Sequence, residues 1–196
     1  MSVGNDVVDL ASPETRLDGL HPRFDERVFG PAERAALVSS PARHVLHWAF
    51  WAAKESAYKA LKRVDPATVF SPKAFVVELP VWPPERGVAV GRVRHRGVTL
   101  ALAVRLAGEC LHAVATASIA PGAVLSGTGP AGDEASRAAR ELAAASVARA
   151  LGLDPRELTI DGRPPVVRRG GEPLVVDVSL SHHGRFVAFA CALEAK

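Results

Sequence analysis

Residues 42–63, ARHVLHWAFWAAKESAYKALKR, constrain this chain most: they contain neither glycine nor proline and end just before Asp65-Pro66. A run of strong helix formers closed by a proline pair predicts one long helix. Val45, Trp48, Ala49 and Ala52 recur at helical spacing as an apolar stripe, which Phe50 and Trp51 widen, so the helix is expected to be largely buried. Glu55, Lys59 and Lys62 fall at i, i+4 and i+7 and put three charged heads on one side. Strand signals follow at 74–79, 88–94, 98–106 and 111–119, the last two joined as a hairpin across Ala107-Gly108-Glu109.

The rest of the chain repeats this order. Residues 3–10 read as a short strand, 11–30 as a loop with a helical turn, and Pro31 opens a short helix, PAERAALV. Residues 121–133, PGAVLSGTGPAGD, are the clearest composition break and are expected to be a linker. A second helix is predicted over 134–151, stopping at Gly152, with strands at 174–180 and 185–193. The expected fold is α+β: two pseudo-symmetric lobes, each a long helix packed on a small, mainly antiparallel sheet. The lobes are residues 1–120 and 134–196.

Composition excludes several classes. The chain has 196 residues, 48% hydrophobic and 23% charged, which rules out global disorder. Its net charge of +3 is too mild to indicate a nucleic-acid binder. The two cysteines, Cys110 and Cys191, cannot make a disulfide framework or a zinc site unaided, and are expected as buried thiols. The start, MSVGNDVVDL, lacks a basic segment before an apolar run, so no signal peptide is expected. The uncharged stretch 110–132 is broken by Pro121 and Pro130 and is no membrane span. A cytoplasmic protein is expected, with neither membrane nor nucleic acid as a partner.

Three segments could carry chemistry. Gly4-Asn5-Asp6 places an acid on the first strand, although a turn or cap aspartate is an equal alternative. Glu55 and Lys59 could form an ordinary solvated pair, but the aromatic stretch upstream argues for a more buried setting. His182, in Ser181-His182-His183-Gly184, could be a solvated turn residue or, beside Arg185, part of an anion site. Arg163 on a glycine turn, with Arg137 and Arg140 one helical turn apart, adds cations. Two carboxylates suit a hard divalent cation, and the scattered Lys, Arg and His suit phosphates. There is no P-loop or Rossmann glycine signature. His21, His44, His47, His95 and His112 show no convergent spacing and are assigned structural or surface roles.

Together GNDVVDL, RFDERVFGPAE, WAAKESAYKAL and GRPPVV…VSLSHHGRFVAFA resemble the 4'-phosphopantetheinyl transferase superfamily. Its marks are a G-x-D strand, a W/F-x-x-K-E-x-x-x-K helix and a GKP…SxSH segment. The segment order, with SRAAREL and GRP…SLSHH last, resembles a circular permutation of the larger, surfactin-synthetase-type members. The small holo-acyl-carrier-protein synthases share the motif order but not the second long helix; an enlarged small type, with 66–150 inserted, is the alternative. The resemblance implies transfer of the phosphopantetheine arm of coenzyme A to a serine of an acyl or peptidyl carrier protein, releasing adenosine 3',5'-bisphosphate. It implies Mg²⁺ on Asp6 and Glu55, the transferring phosphate on Lys59, and Glu55 as the group taking the serine proton. It further implies the pyrophosphate on His182 and Arg163, and the 3'-phosphate on Arg137. Val8 stands where larger members carry a further acid, and Asp9 faces away from Val8 on a regular strand. Arg163 stands where lysine is usual. A monomer is expected, since both lobes are present in one chain. A non-catalytic member that binds coenzyme A or a carrier protein is the alternative function.

Overall fold

The computed structural model describes residues 2–80, 82, 87–117 and 124–193. The amino-terminal lobe is a five-stranded antiparallel sheet in the order β1-β5-β4-β3-β2. Its strands are β1 (Ser2–Asp9), β2 (Val76–Glu78), β3 (Val88–His95), β4 (Val98–Ala107) and β5 (Cys110–Ala117). Three helices precede β2: α1 (Phe24–Val28), α2 (Pro31–Ser39) and the long α3 (Arg43–Val64). The second lobe holds α4 (Ala135–Leu151) and a three-stranded sheet in the order β10-β11-β6, made of β6 (Leu125–Pro130), β10 (Val176–His183) and β11 (Phe186–Leu193). A separate ribbon of β7 (Leu158–Asp161), β8 (Val166–Arg169) and β9 (Glu172–Pro173) packs beside α4.

Both long helices lie within one residue of their expected starts. α4 ends as expected at Gly152, whose φ of 68° is the left-handed cap that glycine adopts without strain. The linker expectation is corrected: of residues 121–133, 125–130 form β6, which pairs antiparallel with β11. The hairpin β10–β11 also runs further than expected, to His183, leaving Gly184 and Arg185 as the turn.

α3 lies across β1 and β5 on a face of small residues: Ala49, Ala52, Ala53, Ser56, Ala57 and Ala60 are all fully buried. Small side chains allow backbones to approach closely, and Gly4 on β1 completes the contact. Lys54 fixes the rotation of α3. It is fully buried, 2.7 and 2.9 Å from the carboxylate oxygens of Glu33, and also donates to the Phe75 carbonyl. The same Glu33 carboxylate accepts the Gly30 and Val77 amides, so one satisfied ion pair ties α2, α3 and β2 together.

β1 joins the lobes. One face meets α3, and the other packs on β11, with Val3 and Val7 against Ala188, Ala190 and Ala192. Its free edge has side chains of β10 where a backbone partner would lie. The Val3 amide donates to Asp177 Oδ2 (2.7 Å), the Asn5 amide to Ser179 Oγ (3.0 Å) and the Asp9 amide to His183 Nδ1 (3.1 Å). Each pair is 174 residues apart, so the two strands run side by side in step. Asn5 adds two more bonds, from Nδ2 to the Ser179 carbonyl and from Ser181 Oγ to its Oδ1.

Among the described residues no helix is long and apolar enough to cross a membrane. Cys110 and Cys191 are free and buried. Of the other histidines, His44 bonds to the Thr15 carbonyl and His95 stacks on Phe75 at 4.0 Å. His47 and His112 are buried, and His21 bonds locally to the Arg23 amide.

Candidate active site

Alternation along β1 sends Asp6 to the α3 face, together with Gly4 and Val8. There Lys59 Nζ lies 2.7 Å from Asp6 Oδ1 and 3.1 Å from the Asn5 carbonyl. Lys59 thus spans from helix to strand and makes no ion pair with Glu55 along its own helix. Glu55, one turn earlier, is half-buried, and its carboxylate has no hydrogen-bond or ion-pair partner among the described residues. Burial, and after it the negative charge of Asp6, holds Glu55 above the usual carboxylate range; Lys59 pulls the other way. Burial likewise raises Asp6 despite Lys59. Two buried acids served by one lysine form an under-neutralised pair.

That imbalance suits a divalent cation. Hard ions such as Mg²⁺ take one or two carboxylates and complete their shell with water and substrate phosphates. Asp6 and Glu55 are the carboxylates of this place, and among the described residues there is no group of three or more His, Cys, Asp or Glu arranged to hold a metal. Val8 is buried against α3 and offers no third. Asp9 points away from this site as expected. Its carboxylate accepts Arg185 Nε and Nη2 at 2.7 and 2.6 Å, which holds it far below the usual range.

Between the lobes, beside Lys59, opens a cavity of about 800 Å³. Tyr58, Lys59, Lys62 and Arg63 of α3 form one wall, and Pro164, Pro165, Leu174, Val176 and Leu180 the other. Arg63 pairs with Asp177 and donates to the Pro165 carbonyl, closing one side. A smaller cavity of about 180 Å³ adjoins it, sharing Pro165 and Leu180, and here Arg140, Arg163 and His182 converge. Three groups able to donate to oxygen at one small cavity suit a phosphate.

The sequence expectations thus resolve into two clusters. Asp6, Glu55 and Lys59 come together at β1 and α3. His182 and Arg163 come together in the second lobe, but with Arg140 in place of Arg137. Arg137 lies on the exposed side of α4, 3.4 Å from Glu134 and 3.6 Å from Glu141, and lines neither cavity. The burial of Ala139 and Ala143 sets this rotation, turning Ser136 and Arg140 inward. Arg185, expected beside an anion, is instead consumed by Asp9 and Glu109. Tyr58 and Arg63 were not anticipated; their positions three and four residues from Glu55, Lys59 and Lys62 were the available signal.

A family model described as the 4'-phosphopantetheinyl transferase superfamily matches residues 2–91. The matched segment is just under half of the chain. The superfamily match takes in Asp6, Glu55 and Lys59 and ends before the second lobe. The apo ACPS structure from Chronobacterium ammoniagenes is similar at 22% identity, over 58% of this chain and 93% of that one, with a TM-score of 0.45. The ACPS–CoA complex from the same organism is similar at 21% identity, with the same coverages and a TM-score of 0.45. The holo-[acyl-carrier-protein] synthase of Thermotoga maritima shows 19% identity over 58% of this chain and 61% of that one, with a TM-score of 0.39. No curated protein matches the chain.

Proposed function

We propose that this protein transfers the 4'-phosphopantetheine arm of coenzyme A to a serine hydroxyl of an acyl or peptidyl carrier protein. The serine oxygen forms a bond to the phosphorus bearing the arm as the bridging P–O bond of the pyrophosphate breaks, and adenosine 3',5'-bisphosphate leaves. The observation that carries this reading is the orphaned Glu55 carboxylate beside Asp6 and Lys59, with Lys59 itself lining an interlobe cavity large enough for a nucleotide-sized ligand.

Asp6 and Glu55 would hold Mg²⁺, which when bound offsets negative charge developing on the leaving phosphate. Lys59, anchored by Asp6 and the Asn5 carbonyl, presents its ammonium to the transferring phosphate. Glu55 takes the serine proton, directly or through a metal-bound water. Arg140, Arg163 and His182 bind a phosphate of coenzyme A in the adjoining cavity. Arg137, outside both cavities, has at most a peripheral part in that contact.

The second lobe supplies these cations and half of the cavity wall, which supports the permuted two-lobed arrangement. One chain provides both walls, so the working unit we propose is a monomer in the cytoplasm.

Mass spectrometry of an apo carrier protein incubated with coenzyme A, Mg²⁺ and this protein tests the reading. The expected result is a gain of one phosphopantetheine, slowed at least ~100-fold by Glu55→Gln with the fold intact, and lost on chelation of the metal. No transfer to any of several carriers, or full activity in Glu55→Gln, would overturn it.

A further inference from the structure

Asn5 stands between the two clusters and belongs to neither. It precedes Asp6 on β1, and alternation turns its side chain away from α3 toward the second lobe, where it is fully buried. A buried amide is unfavourable unless its polar ends find partners, and both ends of this one do. Nδ2 donates to the Ser179 carbonyl at 2.9 Å, and Oδ1 accepts Ser181 Oγ at 2.5 Å. A carbonyl can only accept, so the Nδ2 end must face Ser179, which fixes the orientation of the amide. The backbone of Asn5 is engaged as well: its amide donates to Ser179 Oγ at 3.0 Å, and its carbonyl accepts Lys59 Nζ at 3.1 Å.

Each cluster is held within its own lobe. Asp6 is paired with Ala113 on β5, and His182 with Val187 on β11. Those ladders do not set the position of one sheet along the other. Packing of Val3 and Val7 on the alanines of β11 is non-directional, so directional bonds must fix the register. The stitches at Val3 and Asp9 lie toward the ends of β1. Asn5 works at the level of the site: it grips Ser179 and Ser181, which flank Leu180, and Leu180 lines both the large cavity and the small one. Leucine has the shape of asparagine and would fill the same space with no amide to desolvate, so the polar side chain contributes register rather than burial.

We propose that Asn5 is a positioning residue of the transfer site: by gripping β10 on both sides of Leu180, it holds the phosphate-binding cations of the second lobe in register with Asp6, Glu55 and Lys59. The proposal rests on the transferase reading above. A ligand whose phosphates reach both clusters then meets them already spaced, and its reacting atoms stay aligned once it is bound.

Asn5→Leu keeps the volume and the backbone stitches and removes the side-chain lock, whereas Ser181→Ala removes half of it. Transfer to an apo carrier protein at saturating coenzyme A and Mg²⁺ should show kcat lowered at least ~10-fold in Asn5→Leu and by less in Ser181→Ala. The double variant should be no slower than Asn5→Leu, because both side chains act through one lock. Calorimetric affinity for adenosine 3',5'-bisphosphate should stay within about twofold of the parent's, since Arg140, Arg163 and His182 are all carried by the second lobe. Parental kcat in a folded Asn5→Leu, losses that add in the double variant, or a fall in bisphosphate affinity as large as the fall in kcat overturns the proposal and leaves the transferase reading standing. A parent chain that transfers no phosphopantetheine overturns both. Should Asn5→Leu melt below the assay temperature, Ser181→Ala, which keeps the bond to the Ser179 carbonyl, decides alone: a lowered kcat with parental bisphosphate affinity supports the proposal, and parental kcat overturns it.

Discussion

The two long helices face the same task, covering a small antiparallel sheet, with opposite tolerances. α3 meets β1 backbone to backbone: a Cβ added at Gly4 would overlap the Ser56 carbonyl and come within 2.6 Å of Ala60 N. α4 meets β6 through a side chain: a Cβ at Gly129 would stand 3.2 Å from Leu142 Cδ2, the far end of a flexible group. The acids proposed to act in the transfer sit at the first contact, where nothing can slide, and Arg140, one of the cations proposed to bind phosphate, lies on the second helix. Positioning errors of an ångström matter most for groups at the reacting atoms, so the tighter joint belongs with Asp6, Glu55 and Lys59.

The sharpest way to break this comparison is to add one methyl to each joint. Gly4→Ala should cost about 3 kcal/mol, because helix or strand must move, whereas Gly129→Ala should cost under about 1 kcal/mol as Leu142 rotates. Urea unfolding of the two variants measures the difference, and equal losses would erase the contrast.

Acid sensitivity should also divide by lobe. Burial, with Arg105 and Lys59 nearby, pushes His112 down to about 4, and burial does the same to His47; both lie in the amino-terminal lobe. A base depressed in the fold is neutral there but protonates when unfolded. Its contribution is therefore complete above pH 6.5 and is lost as pH falls from 6.5 toward 4. Each histidine should remove about 2 kcal/mol of stability between pH 6.5 and 5. Denaturation of His112→Gln at those two pH values should show that much less pH dependence than the parent.

The smallest effect separates two arginines a turn apart. Arg140→Ala should weaken coenzyme A binding about tenfold and Arg137→Ala less than twofold, as read by calorimetry. The reverse order would mean that α4 presents a different face to the ligand.

Much of this architecture was legible because helices announce themselves through uninterrupted runs. α3 and α4 are free of glycine and proline, and Gly152 has the conformation its position suggested. The strand at 125–130 was hidden by its own composition. LSGTGP reads as linker, yet Gly127 is required where an added Cβ would meet the Phe189 ring at 3.0 Å, and Gly129 where α4 passes over. Glycine here serves close approach, which looks the same as a turn until the partner surface is known. The gathering of Asp6, Glu55 and Lys59 could be anticipated from spacing plus resemblance. That Arg140 and not Arg137 lines the small cavity could not, because a helix's rotation depends on which alanines its sheet buries. Arg185 misled for a related reason: its partners are Asp9 at the end of β1 and Glu109 in the β4–β5 turn, both distant in sequence, and nothing local marks them as neighbours.

The stitching of β1 to β10 carries a cost during biosynthesis. Every stitch closes a loop of nearly the whole polypeptide, so it forms only after the last strands leave the ribosome. Until then a nascent chain holding the complete five-stranded sheet shows a bare row of amides at Val3, Asn5 and Asp9, a template for pairing with another copy. Slow synthesis of the final hairpin therefore exposes this protein to self-association at the strand that carries Asp6.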